Sequence, residues 1–172
     1  MAEDIPANGA ADAAAQAAQA AGAQLNLLGQ YISDLSFENP NAPQSILPGK
    51  DQPKVNVGVS LSAKKQSDEI YASELTLSVK AEREDKVLYN IELVYGGLFQ
   101  VKNIPEDKIY PMVMIECPRL LFPFARQVIA STVQQGGFPP IMLQPIDFVA
   151  LFQKNHPPKG QVHAPEAGSA PN

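Results

Sequence analysis

Val55-Asn-Val-Gly-Val-Ser-Leu-Ser62 puts an apolar, mostly β-branched residue at every odd position and a small or polar one at every even position. That is the pattern of a strand with one buried and one solvated face. The same period recurs on both sides of it. Downstream, a charged loop at Lys64-Lys65-Gln66-Ser67-Asp68 leads into Tyr71 to Glu82. There Tyr71, Leu75, Leu77, Val79 and Ala81 share one face, and Glu74, Thr76, Ser78, Lys80 and Glu82 the other. Arg83 to Asp85 turns the chain. Val87, Tyr89, Ile91, Leu93 and Tyr95 then form the apolar face of a fourth strand opposite Asn90 and Glu92, with Gly96-Gly97 suggesting a bulge or bend before Leu98-Phe99. Upstream, Tyr31 to Glu38 alternates Tyr31, Ser33, Leu35 and Phe37 with Asp34, Ser36 and Glu38. Asn39-Pro40-Asn41-Ala42-Pro43 ends this strand, and an irregular crossing follows through Pro48-Gly49 to Pro53. The four strands predict an antiparallel sheet with one buried face and one solvated, net acidic face.

After Lys102 the period changes. Pro105-Glu106-Asp107 reads as a helix start, running through Ile109, Met112, Val113 and Met114 until Pro118 stops it, with Pro111 leaving it kinked or short. A stronger helix follows, with Pro123 in its first turn, Phe124, Val128, Ile129, Thr132 and Val133 at three-to-four spacing, and Gly136-Gly137 as its stop. A proline-rich loop from Phe138 to Pro145 leads to a short last helix at Asp147 to Gln153. Strands followed by helices predict an α+β fold, a four-stranded antiparallel sheet with helices packed on one face.

The ends read differently. Residues 1–30 form an alanine-rich flexible N-terminal tail, 31–153 a folded domain, and 154–172 a flexible proline-rich C-terminal tail. The first 24 residues hold Glu3, Asp4 and Asp12 but neither lysine nor arginine, and no long apolar run, so they match neither a signal peptide nor a transit peptide. No stretch reaches the ~20 apolar residues that span a bilayer. With 18 acidic against 13 basic side chains in 172 residues, the net charge is -5, which disfavours nucleic acid and anionic membrane as partners and favours basic ones. The single cysteine, Cys117, makes no intramolecular disulfide, which fits the cytoplasm.

Most catalytic chemistry is absent. Both histidines, His156 and His163, fall in the tail, so neither is set to serve a nucleophile. There is no phosphate-cradling glycine loop and no Cys/His cluster at metal-ligand spacing, so no metal and no cofactor is expected. Cys117, before Pro118, reads as a small buried hydrophobe, and Asp34, Glu38 and Glu92 lie on an open face where they suit partner binding better than acid-base catalysis. The apolar faces also outnumber what one protomer covers. The sheet, both sides of the Phe122 to Val133 helix and the Phe138 to Phe152 segment all need cover, which self-association over about 2,000 Å² or more would provide.

Four segments together resemble one family, the bacterial protein-export chaperone SecB: Tyr31-Ile-Ser-Asp-Leu-Ser-Phe-Glu-Asn-Pro-Asn-Ala-Pro43, Glu92-Leu-Val-Tyr-Gly-Gly-Leu-Phe99, Cys117-Pro-Arg-Leu-Leu-Phe-Pro-Phe-Ala-Arg126 and Gly137-Phe-Pro-Pro-Ile-Met-Leu-Gln-Pro-Ile-Asp-Phe-Val-Ala-Leu-Phe152. Their order and spacing match as well. The resemblance implies a homotetramer built as a dimer of dimers, with helices between two sheets, that holds unfolded secretory preproteins in hydrophobic grooves without ATP and passes them to the translocase ATPase SecA. It places SecA docking on Asp34, Glu38 and Glu92, and a client groove between the crossing and the main helix, at Ile46, Leu47, Phe124, Ile141, Phe148 and Phe152. The chain departs from the family at Asn90, where leucine is frequent, and at Asp51-Gln52, where a tryptophan usually precedes Pro53. Two other readings remain: a SecB-like chaperone controlling a toxin-antitoxin pair, and a small-ligand carrier using the apolar sheet face.

Overall fold

The computed structural model describes residues 22–156. Strands β1 (Gln24–Glu38), β2 (Lys54–Lys65), β3 (Ile70–Arg83) and β4 (Lys86–Lys102) precede helices α1 (Glu106–Gln135) and α2 (Phe148–Asn155). The sheet is antiparallel in the order β1-β4-β3-β2. The crossing therefore carries the chain from one sheet edge to the other, through a 3-10 turn at Gln44–Ile46. A two-residue turn joins β3 to β4, with Glu84 and Asp85 both at positive φ, the geometry that matches strand twist in tight hairpins.

In β3 the alternation holds throughout the core and in β4 from Tyr89 to Tyr95, but Leu88 is an extra, buried residue, so Val87 pairs with Glu82 and leaves the apolar face expected for it. Leu75, Leu77, Val79 and Ala81 lie opposite Tyr95, Leu93, Ile91 and Tyr89, all buried beneath α1. β1 behaves differently. Its pairing with β4 shifts register between Leu27 and Gly29 and again between Ile32 and Asp34, so Leu28 and Ser33 are each inserted as an extra residue. A bulge reverses the parity of everything beyond it. Leu35 and Phe37 remain on the helix side, across from Leu93 and Ile91, but Tyr31 moves to the outer face, across from Gly96. The shared face expected for Tyr31 and Leu35 is thus corrected, and the bulges lie in β1 across from Val94-Tyr95 and Leu98-Phe99, on either side of the glycines and not at Gly96-Gly97 itself. The interrupted parity also hides the start of the strand. β1 begins at Gln24, with Leu25 paired to Val101, so residues 24–30 of the expected N-terminal tail belong to the sheet. Residues 1–21 of that tail, and the C-terminal tail from 157 onward, lie outside the described residues.

The second correction concerns α1. Pro111, Pro118 and Pro123 all sit inside one continuous helix, where Pro118 was expected to end one helix and Pro123 to open another. Each proline forfeits a backbone hydrogen bond and disfavours the helix locally. Burial outweighs that, because Val113, Met114, Cys117, Pro118, Leu121, Phe122, Ala125, Ile129, Ala130 and Val133 recur at helical period along the sheet-facing side. Pro118 is itself among the most buried side chains. The helix ends where expected: Gly137, at φ 88, donates to the Gln134 carbonyl and Phe138 to that of Val133, the paired bonds of a glycine C-cap. α2 opens on Asp147, whose Oδ1 accepts from the Ala150 amide at 2.9 Å.

Cys117 lies fully buried in the contact between α1 and the sheet, and burial, reinforced by Glu116, pushes its thiol up to about 12. Only the thiolate alkylates. Iodoacetamide at pH 8 is expected to label the folded protein at least about a hundredfold more slowly than the protein in guanidinium, given the ordinary thiol value near 8.5. Comparable rates in the two states, followed by mass spectrometry, would place Cys117 outside the core.

Candidate functional site

The outer face of the sheet is a grid whose rows follow directly from the pairing. Running β1-β4-β3-β2, the rows are Glu38, Asn90, Lys80 and Asn56; Ser36, Glu92, Ser78 and Gly58; Asp34, Val94, Thr76 and Ser60; and Tyr31, Gly96, Glu74 and Ser62. Asp34 and Glu38 come from β1 and Glu92 from the neighbouring β4, so the three carboxylates expected to act together share one exposed face. The side chains on either side of them are short. An open hollow of about 490 Å³ lies along the first two rows, lined among others by Ser36, Glu38, Gly58, Ser78 and Glu92. Lys80 also lines it, but its ammonium pairs with Glu82 along the same strand. The result is a shallow polar trough with acidic walls and Asn90 in its floor.

The fourth row holds Tyr31, which the sequence reading had placed on the opposite face. The Tyr31 ring lies over Gly96 so closely that a Cβ there would collide with it, and its hydroxyl donates to Glu74 Oε1 at 3.5 Å. Partial burial and the Glu74 carboxylate both raise the Tyr31 phenol above its ordinary value. Gly96 was a visible signal, since a strand glycine marks close approach of another group. The identity of that group depended on the bulge at Ser33.

The six residues expected to line one groove do not come together in one place. Ile46 packs toward Gly137 at the C-terminal end of α1, and a Cβ on Gly137 would meet Ile46 Cδ1 at 3.2 Å. Ile46 and its neighbour Leu47 are 48% and 62% exposed. Phe37, against the adjoining Gly136, forms an aromatic run with Tyr89 and Phe138, ring centroids 6.0 and 4.9 Å apart, none of which the sequence reading had assigned to this place. Phe124 is exposed on α1, while Ile141 is half-buried against the core. Phe148 is a correction: at 2% exposure it packs edge-on against Phe122 inside the protomer, so its ring is core and not groove wall. Phe152 sits with Tyr110 and His156 toward the N-terminal half of α1, away from Ile46.

His156 holds that last cluster together. Its Nδ1 donates to the Phe152 carbonyl, 3.2 Å away, because a carbonyl only accepts; its Nε2 then accepts from the Tyr110 hydroxyl at 3.3 Å. One ring nitrogen closes the end of α2 and the other fastens α2 to α1. Among the described residues no group of three or more His, Cys, Asp or Glu side chains is placed to hold a metal ion, and no helix is long and apolar enough to cross a membrane.

A family model described as preprotein translocase subunit SecB matches residues 17–158. The protein-export protein SecB of Bradyrhizobium sp. is 52% identical over 132 residues, covering 77% of this chain and 82% of that protein. The protein-export protein SecB of Rhodopseudomonas palustris strain BisB18 is 48% identical over 148 residues, covering 86% and 87%. Among solved structures, a SecB-like chaperone of Mycobacterium tuberculosis in complex with a peptide from an antitoxin superposes with a TM-score of 0.60 at 12% identity, covering 76% of this chain and 95% of that one. At that identity the likeness is one of fold.

The different surroundings of two phenylalanines give opposite expectations. Phe148→Ala opens a cavity in the core and should lower stability by about 3–5 kcal/mol, whereas Phe124→Ala, on an exposed position of the protomer, should cost under about 1 kcal/mol unless the ring is covered by another subunit. Urea denaturation across a range of protein concentrations separates the cases, because a loss that depends on concentration belongs to an interface.

Proposed function

Because the chain belongs to the SecB family of preprotein translocase subunits and is a protein-export chaperone, we propose that it holds unfolded secretory preproteins on exposed apolar surface in the cytoplasm and delivers them to SecA. Holding needs no ATP, metal, cofactor or catalysis. A protein that binds only the unfolded chain withdraws it from folding and aggregation by mass action. The observation that carries this reading is how much apolar surface a folded protomer leaves in water: Leu27, Ile32 and Leu35 along the β1 margin, Leu120 and Phe124 on α1, and Ile46 and Leu47 on the crossing.

Two uses share that surface. A homotetramer, a dimer of dimers with the helices between two sheets, covers the α1 stripe and the sheet margin, and leaves Ile46, Leu47 and the flank of α2 with Phe152 for clients. Apolar contact of this kind is non-directional and tolerates many sequences. SecA docks on the outer sheet face at Asp34, Glu38 and Glu92. The three carboxylates there favour a basic segment, and the acidic balance of the whole chain favours such a partner over nucleic acid. With Asn90 in the trough where leucine is frequent, that docking depends more on charge than on an apolar anchor. Relatives at 48% and 52% identity are protein-export proteins, whereas the chaperone solved with an antitoxin peptide stands at 12%, so export is the reading favoured over toxin-antitoxin control.

Light scattering after size-exclusion chromatography tests the assembly and the holding together. The expected result is a particle of four chains that takes up a slow-folding precursor in its unfolded form and ignores the folded form. A monomer indifferent to unfolded chains would refute both.

The separation of surfaces has its own test. Asp34→Ala with Glu38→Ala should weaken SecA binding at least about tenfold at low salt, the difference shrinking as salt screens the remaining charge, while client affinity stays within about twofold. Equal loss of both activities with the tetramer intact would mean that one surface serves both partners.

A further inference from the structure

The crossing between β1 and β2 is irregular, yet side chains fix it at defined points. Asn41 Nδ2 donates to the Val87 carbonyl at 2.8 Å, and the Ser45 hydroxyl, buried, donates to Asn39 Oδ1 at 2.7 Å. Beyond Ile46 the tie comes from outside the segment. Arg83, the last residue of β3, donates through Nη2 to the Leu47 carbonyl at 2.9 Å. Its guanidinium also lies against Gly49, where a Cβ would collide with it. Arg83 thus reaches both sides of the bend at Leu47-Pro48-Gly49, bonding one residue and covering the next but one. Its own position is set by the turn at Glu84 and Asp85 and by pairing with Lys86 across it. Crossing and hairpin enclose an open cavity of about 630 Å³, lined among others by Leu47, Pro48, Arg83, Val87 and Leu88.

Large apolar side chains on an irregular segment fold back onto the nearest apolar surface, because water disfavours them. Ile46 and Leu47 stand out instead, at 48% and 62% exposure, where the backbone that bears them is tied down. A hydrogen bond from a charged, planar guanidinium is among the stronger ties available to an exposed carbonyl. We propose that Arg83 is a positioning residue for client capture: it fixes the crossing so that Ile46 and Leu47 form a ledge already ordered before an unfolded chain arrives. Ordering the ledge in advance removes a cost that each binding event would otherwise carry. The proposal rests on the client-holding reading above.

The test uses the full chain, with reduced, carbamidomethylated pancreatic trypsin inhibitor as a client that cannot refold. Arg83→Ala is expected to weaken client binding about tenfold. Gly49→Ala should act in the same direction with the guanidinium still present, since its Cβ displaces that group. Arg83→Lys should recover part of the affinity, because an ammonium reaches the Leu47 carbonyl but does not cover Gly49. Hydrogen exchange should quicken in residues 46–50 of the Ala variants and stay unchanged in β3 and α1, with assembly and SecA docking preserved. Unchanged exchange in the crossing, or faster exchange with client affinity within about twofold of wild type, overturns the proposal. Parallel loss of client binding, SecA docking and assembly also overturns it, by assigning Arg83 to the fold. Wild-type protein that ignores the unfolded inhibitor overturns the holding reading, and the proposal with it.

Discussion

One mismatch of widths governs this protein: a single helix is laid along a four-stranded sheet. Outer strand axes in such a sheet lie about 15 Å apart, while a helix with its side chains is about 10 Å across. α1 therefore covers the two central strands, where Leu75, Leu77, Leu93 and Phe99 are wholly buried, and leaves apolar residues of both edges in water. On β1 these are Leu27, Ile32 and Leu35; on β2 they are Val55 and Val57. Each such half-exposed side chain forgoes part of the about 1.5–3 kcal/mol that full burial contributes. The three prolines inside α1 follow from the same constraint. One long helix over the central strands buries more than two short ones meeting at an angle, so the helix runs through them.

Leaving margins uncovered is costly for a monomeric enzyme and useful for a holding protein. An apolar surface with no enclosed pocket has little capacity to perturb a carboxylate or exclude water from a reacting bond, but it can accept extended chains of many sequences. The opposite face of the same sheet works by different physics. Its residues are short and polar, its carboxylates project from paired strands, and its backbone is held by neighbours on both sides in β3 and β4. Charge on a rigid surface speeds encounter and selects partners by sign. The sheet thus separates an apolar side from a charged one by its own thickness, and alternation along each strand is enough to encode both.

What could be read from the sequence depended on whether a residue's neighbours were local. Period-2 alternation in Val55 to Leu61 and in Leu75 to Ala81 gave the faces of β2 and β3 correctly, because nothing interrupts those strands. In β1 one extra residue at Ser33 was enough to send Tyr31 to the wrong face, and a second at Leu28 concealed the strand's first residues. Bulges are decided by the partner strand, which a local pattern does not contain. Proline was misread for a similar reason: its local penalty is visible at Pro118, but the apolar stripe that outweighs it gains value only against a sheet. Among the candidate site residues, the common face of Asp34, Glu38 and Glu92 was legible because parity alone brings them there. The groove residues were not, since Ile46, Phe124, Phe148 and Phe152 share an apolar character and nothing more, and only tertiary contact distinguishes a core ring from an exposed one. Arg83 gave no sign at all, being one charged residue beside a turn.

The crossing is where these two levels meet. Strands and helices are placed by a repeating pattern, the ladder of a sheet or the stripe of a helix, in which each residue's position is supported by equivalent neighbours. An irregular segment has no such redundancy, and a few individual bonds must substitute for it. Here they are drawn from the end of the sheet: Asn41 reaches the Val87 carbonyl, Arg83 reaches that of Leu47, and Gly137, closing α1, lies against Ile46. The tight β3–β4 turn, the helix C-cap and the crossing therefore form one corner, and the geometry of each is a condition for the others. Irregular structure fixed in this way combines an exposed apolar edge with a defined shape, a combination that neither a regular strand, which buries its apolar face, nor a free loop, which collapses, can provide.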